Sequence, residues 1–456
     1  MKNKMVSICV LLSACGGVAQ GQVGRLVAEL VPSDTEAYSG FGRSVSIEGD
    51  FIVVGAPLGG SGHALGFVLG SADMPNESFV YSGLIDDEWF GNYVATDGET
   101  VLVGTDEGSE TGNPLASVSF FERSTGLFED RIVDSTAGRN ERFGAALAVE
   151  NGNVVIGAPG STYYDPDGLV SGIGYFSNTT TRPLATFGPP SGFTPDFSGF
   201  GYSVDIHGSY VAVGTDNTDG KSSRSHAYLY NTSGVLLETL TPSDHADHDN
   251  FGHDVAVVET GSSTYIAVGA PFNDGVSMTK RGSVYLFDAS DGSQVYQLIA
   301  SDASSYGRFG ASVASSGNYL VVGAPHQSLI NKTGVYVFDI SANPPVEIAR
   351  ITPASVGASS SRFGLDVSIS GPIVVVGGNG SLESDIPLSG GEAFVFDLRC
   401  NDADFAAPYG SLNFLDTSAF IVAFGANDPS ADLNDDETVN FLDYSVFLSI
   451  YGGGCP

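Results

Sequence analysis

Apolar positions come in short runs broken by Gly, Asn, Ser, Asp and Pro, and before residue 400 no long amphipathic helix is visible. Residues 309–353 show the pattern: FGASVAS, NYLVVGAP, TGVYVFDI and VEIARITP each read as a strand, and the punctuating residues between them as turns. The same order recurs along the chain, as Phe-Gly, a short apolar strand, a turn and a second strand ending in Gly. The copies are Phe41-Gly42 with Gly55, Phe90-Gly91 with Gly104, Phe143-Gly144 with Gly157, and Phe200-Gly201 with Gly214. Phe251-Gly252 with Gly269, Phe309-Gly310 with Gly323, and Phe363-Gly364 with Gly377 complete the set. The mean interval is roughly 54 residues, which suits a four-stranded propeller blade.

The last copy supplies FGLDVSIS, IVVVGGN and EAFVFDL and then stops without a fourth strand. RLVAELVPSD, residues 25–34, matches VLLETLTPSD at 235–244, which is a fourth strand with its exit turn. The expected fold is therefore all-β, a seven-bladed β-propeller over residues 23–398. Its N-terminal strand, residues 25–31, should close the last blade and remove two exposed sheet edges.

These units resemble FG-GAP repeats, the blades of the integrin α head. Gly-Ala-Pro stands at Gly55, Gly157, Gly269 and Gly323, and is replaced at Gly104, Gly214 and Gly377. The resemblance implies a Phe packed between blades and a Gly that lets backbones approach closely. Relatives with blade calcium sites carry D-x-D-x-D-G between first and second strands. Here that link is short, as in Glu48-Gly49-Asp50 or His207-Gly208-Ser209. Such a link turns a hairpin but is too short to wrap an ion.

After Cys400 the pattern changes. ADFAAPYGSLNFLDTSAFIVAF from Ala403 and ADLNDDETVNFLDYSVFLSIY from Ala431 each lead an acidic loop into N-F-L-D and an apolar segment of helical length. The second loop reads as an EF-hand, with Asp432, Asn434 and Asp436 at places 1, 3 and 5, the Thr438 carbonyl at 7, Asn440 at 9 and Asp443 at 12. Glu437 stands where Gly normally makes the turn. The first loop offers only Asp404, Asn413 and Asp416. The alternative is an acidic helix N-terminus, which the helix dipole favours. The paired loop-helix layout and the Gly454-Cys455-Pro456 ending resemble the GC-type dockerin tails of planctomycete secreted proteins. The resemblance implies a small α-helical, EF-hand-like domain over residues 400–456 that holds calcium and meets a cohesin-like or surface partner.

Composition sharpens the picture. Lys plus Arg number 18 against 53 Asp plus Glu, a net charge of −35, which repels phosphate backbones and argues against a nucleic-acid partner. Residues 1–22 have Lys2 and Lys4, an apolar stretch and small residues, a secretory signal layout. Leu12-Ser13-Ala14-Cys15 also resembles a lipobox, which would place a lipid anchor on Cys15. No later stretch is long and apolar enough to span a bilayer. With the leader removed, Cys400 and Cys455 remain, and an even pair in an exported protein points to one disulfide.

No catalytic motif is found: there is no G-x-S-x-G, P-loop or H-E-x-x-H. Residues 244–249, DHADHD, with His253 are the one cluster with metal-ligand character, and they read first as a solvated loop. The expectation is a secreted or cell-surface binding or scaffolding protein, not an enzyme, whose propeller loops engage a protein or glycan and whose tail anchors it. The alternative is a propeller hydrolase or lyase acting on extracellular polysaccharide. Convergence of several carboxylates and a His in the central channel would favour that alternative.

Overall fold

The computed structural model describes residues 24–32, 40–57, 62–69, 76–82, 89–105, 116–133, 142–159, 173–177, 185–188, 199–215, 225–244, 246, 248–274, 280–325, 333–353, 362–378, 391–399, 414–426, 428–433 and 438–453. The chain divides into two compact units, Val23–Arg399 and, at the C-terminal end, Cys400–Pro456.

The first unit is a β-propeller. Its described strands form seven antiparallel sheets of four strands each. In six of them the strands are consecutive in the chain, as in Ser312–Ser316, Tyr319–Ala324, Gly334–Asp339 and Val346–Ile351. In the seventh, Asp366–Ser370, Ile373–Gly378 and Glu392–Asp397 take their fourth strand from the other end of the chain, Arg25–Leu30. Arg25 pairs with Asp397 and Leu30 with Ala393, with a bulge between Leu26 and Ala28. A strand so displaced leaves neither end of the repeat as a free template for association.

The core lies between blades. Phe41 packs edge-on to Phe67, its ring centroid 6.0 Å away, in a cluster that also contains Val375, Ala393 and Val395 of the last blade. Phe309 meets Tyr336 and Phe338 in the same manner, at 5.4 and 5.9 Å, packed with Ala256, Val258 and Leu286 of the preceding blade. The second-strand glycines set how closely the blades approach. A Cβ on Gly55 would lie 2.0 Å from the carbonyl oxygen of Gly91 in the next blade. A Cβ on Gly377 would lie 2.4 Å from that of Gly42, so the last blade meets the first by the same contact.

The second unit holds α1, Phe414–Ala426, and α2, Phe441–Gly453. Its core is small. Phe420 and Phe447 are buried and stack at 4.1 Å with 5° between their planes, with Ala431 beside them.

Candidate functional site: the central channel

The first strands of the seven sheets, Val45–Glu48, Tyr93–Thr96, Ala146–Glu150, Phe200–His207, Val255–Glu259, Ser312–Ser316 and Asp366–Ser370, line a central cavity of ≈ 560 Å³. Strands at a propeller hub splay apart, so their inner-edge amides find no backbone partner. Short polar side chains of the preceding blade accept from them instead. Asp366, Ser368 and Ser370 take the amides of Val45, Ile47 and Gly49, at 2.8, 3.1 and 3.0 Å. Ser44 and Ser46 take those of Val94 and Thr96, at 3.2 and 3.1 Å. Asp205 takes Val257 at 2.7 Å, Asp254 takes Val313 at 2.7 Å, and Ser316 takes Gly371 at 3.0 Å. Each acceptor lies one position earlier along its strand than the amide it serves in the next blade. The signal is visible in the sequence as Ser or Asp at alternate places after Phe-Gly, and the sequence reading passed over it.

Asp205, Asp254 and Asp366 lie deep in the ring with only part of their surface open to the channel. Burial pushes all three pKa values up, against the backbone amides that favour the charged form. Asp205 and Asp366 reach about 6 and Asp254 about 7, where the charge of Asp366 adds to the shift.

The two mouths of the channel differ. At the hairpin turns between first and second strands, a second cavity of ≈ 520 Å³ is lined by Glu48, Asp97, Glu150, His207 and Glu259. His207 Nδ1 lies 2.8 Å from Glu150, and its Nε2 hydrogen-bonds Glu259. Burial disfavours the imidazolium, but the Glu259 hydrogen bond and the charges of Glu150, Glu259 and Asp205 outweigh it, so the His207 pKa is raised. Asp97 and Glu150 accept from the amides of Gly152 and Gly208, at 2.6 and 2.7 Å. The acids at this mouth thus also hold neighbouring blades together.

The opposite mouth lies where the chain enters each first strand. There Arg43, Tyr202, His253, Phe272 and Arg308 line the channel. The residue just before each Phe-Gly leads into a first strand from this end, and of these Arg308 lines the channel. Gly40 and Gly199 occupy the place in two blades, with φ of 76° and 48°. Trp89, Arg142 and Arg308 hold the same left-handed conformation, with φ of 66°, 50° and 54°, which side chains with a Cβ adopt at a cost. Phe272 is flanked by the Lys280 ammonium, 4.5 Å from its centroid, and the Arg308 guanidinium, at 5.2 Å. Phe309 N–H donates to the Arg281 carbonyl at 3.1 Å, which brings Arg281 beside them.

The predicted metal residues fare as follows. Asp404, Asn413, Asn434, Asp436, Cys400 and Cys455 lie outside the described residues, as do His245 and Asp247. Asp443 is the third residue of α2 and is fully buried. One carboxylate oxygen accepts from Leu433 N–H at 2.9 Å, the other from Asn440 N–H at 2.7 Å, and Asn440 Oδ1 accepts from Leu442 N–H at 2.8 Å. That is a capping box, the arrangement of the acidic helix N-terminus. Carboxylate and carbonyl oxygens are the donor types a hard cation takes, and here the Thr438 carbonyl accepts from Asn440 Nδ2 at 2.8 Å. Asp416 occupies the matching buried place in α1. Asp244 accepts from Tyr285 Oη at 2.8 Å, and Asp249 from Asn273 at 3.1 Å. Among the described residues no three His, Cys, Asp or Glu side chains converge on one point suited to a metal.

The architecture is that of a β-propeller with a cavity at its hub. FG-GAP repeats are present in part of the chain, where the family model described as FG-GAP repeat matches residues 25–66, 236–287 and 293–338. No curated protein matches the chain significantly. Among solved structures, the crystal structure of the computationally designed Ika8 protein is 14% identical, with a TM-score of 0.47, covering 82% of this chain and all of that one. At that score the likeness adds nothing to the fold described above. Among the described residues no helix is long and apolar enough to cross a membrane.

Proposed function

We propose that the protein is an extracellular binding and scaffolding module, in which the rim of the propeller carrying Trp89, Arg142 and Arg308 receives the ligand and the C-terminal unit attaches the chain to a partner. The observation that carries the reading is the division of labour in the channel. Three channel carboxylates each accept backbone amides and hold blades together, while Trp89, Arg142 and Arg308 at the other end sit in left-handed backbone that side chains with a Cβ adopt at a cost.

A second reading, a hydrolase or lyase on polysaccharide, draws on the convergence of carboxylates with His207 and on the raised pKa of Asp254. The binding reading is preferred because Asp205, Asp254 and Asp366 spend their oxygens on Val257, Val313 and Val45 and not on the open channel.

In the tail, the aromatic set divides. Phe420 and Phe447 are core, whereas Phe441 is 73% exposed, and Leu415, Ile421, Val422, Leu442 and Leu448 stand out with it. An apolar surface of that kind on so small a unit suits a protein partner. Calcium held by Asp432, Asn434, Asp436, Thr438, Asn440 and Asp443, with Asp404, Asn413 and Asp416 for the first loop, would order that surface, and a Cys400–Cys455 disulfide would brace it. Export follows from residues 1–22.

The test uses the full chain and a chain ending at Arg399, each mixed with cell-envelope material in calcium or in chelator. Retention of the full chain in calcium only, and of the shorter chain in neither, is the expected outcome. Equal retention of both sinks the anchoring role, and release of new reducing ends from envelope polysaccharide sinks the non-enzymatic one.

A further inference from the structure

Arginines at the entry end of the channel are treated differently from those elsewhere. Arg25, Arg123, Arg350 and Arg399 are ion-paired, with Asp397, Asp50, Asp302 and Asp397. Arg43 and Arg308 both line the channel, and among the described residues no ion pair joins either to a carboxylate, in a chain with 53 acidic residues. Arg43 Nε donates to a neutral acceptor, Asn92 Oδ1, at 3.2 Å. Burial, and then the like charge of Arg362, lower the Arg308 pKa. Deeper in the channel, backbone donors are in surplus as well. Ser44 and Ser46 serve the amides of Val94 and Thr96 in the next blade. At the place of Ser46 the second blade has Ala95, before the amide of Val149, and at the place of Ser44 the third has Ala146, before that of Val204. A methyl group accepts nothing, so Val149 and Val204 stand at the cavity without the oxygen that other blades supply, and water or a ligand must provide it. Asp205, Asp254 and Asp366 do not redress the balance, because their oxygens are engaged by Val257, Val313 and Val45.

We propose that the channel binds a small organic polycarboxylate, one carboxylate meeting Arg308 and Arg43 and another reaching the amides of Val149 and Val204. The inference rests on the reading of the propeller as a binding module and names the class of its ligand. Guanidinium groups match the planar, bidentate geometry of a carboxylate, and backbone amides hold anionic oxygens with their fixed dipoles. The cavity of ≈ 560 Å³, ringed by the first strands of seven sheets, has the size of a small-molecule site. Glu48, Asp97, Glu150 and Glu259 at the hairpin mouth repel an anion, so the ligand enters past the arginines.

The test is isothermal titration of the full chain with glutarate, tricarballylate, neutral glutaramide, sulfate and a tetraglutamate peptide. Saturable binding of glutarate or tricarballylate is expected, weakened by salt and missing with glutaramide. Arg308→Gln and Arg43→Gln should each raise Kd by about tenfold. Ala95→Ser supplies the hydroxyl that Ser46 supplies to Thr96, so it should satisfy Val149 N–H from within and raise Kd by about threefold, with the unfolding midpoint unchanged or raised. Equal binding of glutaramide overturns the anionic ligand and leaves a binding module, whereas conversion of a bound probe to a product sinks the non-enzymatic reading instead. Binding of sulfate alone assigns the arginines to an inorganic anion, and binding of tetraglutamate alone assigns the channel to a peptide. Either result overturns the inference, as does an unchanged Kd in all three variants or no response to any probe.

Discussion

The two mouths of the channel are built from the same seven strands and treat charge in opposite ways. At the hairpin mouth His207 is clasped by Glu150 and Glu259, and Asp97 and Glu150 reach across to amides of the next blade. At the entry mouth, Lys280 and Arg308 lie against an aromatic ring, and left-handed backbone holds Trp89, Arg142 and Arg308. Charge spent internally stabilises the ring. The charges of Lys280 and Arg308, set against Phe272, are available to something outside. Removing a side chain should therefore weaken the fold at the first mouth and leave it unharmed or strengthened at the second.

The comparison presupposes a stiff ring, and the largest effect comes from breaking that. Gly55→Ala would put a Cβ 2.0 Å from the Gly91 carbonyl oxygen, with backbone on both sides and no flexible end to yield. A loss of about 3 kcal/mol is expected from such overpacking, read by denaturant unfolding. A change under 1 kcal/mol would show that blades slide past one another, and the two mouths could then not be treated as separately held.

Next comes the wall between the mouths. The pKa of Asp254 rises from the usual 3.8 to about 7 on folding, so between those values the folded state holds the proton more firmly than the unfolded one. Its contribution is fully present below the unfolded pKa and is lost as pH rises through the folded pKa. Wild-type stability should therefore fall from pH 4 to pH 7. In Asp254→Asn, which keeps an acceptor for Val313 N–H, part of that fall, on the order of 2 kcal/mol, should vanish. Parallel pH profiles for the two proteins would show that Asp254 does not titrate in this range.

Much of this ring was legible in the sequence because repetition averages out local ambiguity. One Phe-Gly says little, but seven in register fix where strands begin, and the match of residues 25–34 to 235–244 anticipates the pairing of Arg25–Leu30 with Glu392–Asp397. The rim was not legible. Trp89, Arg142 and Arg308 are scattered through 220 residues and share only a place before Phe-Gly, a place read as loop. Nor does spacing reveal that Asp205, Asp254 and Asp366 serve the adjoining blade, since the amides they satisfy lie some fifty residues or more away in the chain. In the tail, the pattern N-F-L-D carried two meanings at once, because Asp443 in a capping box and Asp443 at the end of a cation loop need the same residue at the same place.

A smaller effect is expected at the acidic mouth itself. The His207 pKa is raised, so its pairing with Glu150 and Glu259 contributes fully below the unfolded value near 6.5 and is lost as pH rises through the folded one. The ring is 42% exposed, which screens the pair, and His207→Gln should cost only about 0.5 kcal/mol at pH 5.5 and nothing measurable at pH 9. A cost that is the same at both pH values would mean that His207 packs there without its charge mattering.

The smallest expected effect has the opposite sign and bears most directly on the comparison. Arg308→Gly removes a Cβ from backbone at φ 54°, a conformation glycine adopts without penalty and already holds at Gly40 and Gly199. It also removes a buried guanidinium whose Nε has no partner. Against these gains stand the contact with the Phe272 ring, 5.2 Å away, and the greater freedom glycine gives the unfolded chain. The sum should be a stabilisation of about 0.5 kcal/mol, measured as a rise in the denaturant midpoint at unchanged slope. His207→Gln at pH 5.5 should move the midpoint the other way. If Arg308→Gly instead lowers stability by 1 kcal/mol or more, the arginine is part of what holds the ring, and the contrast between a mouth that spends its charge and one that keeps it for a ligand no longer stands.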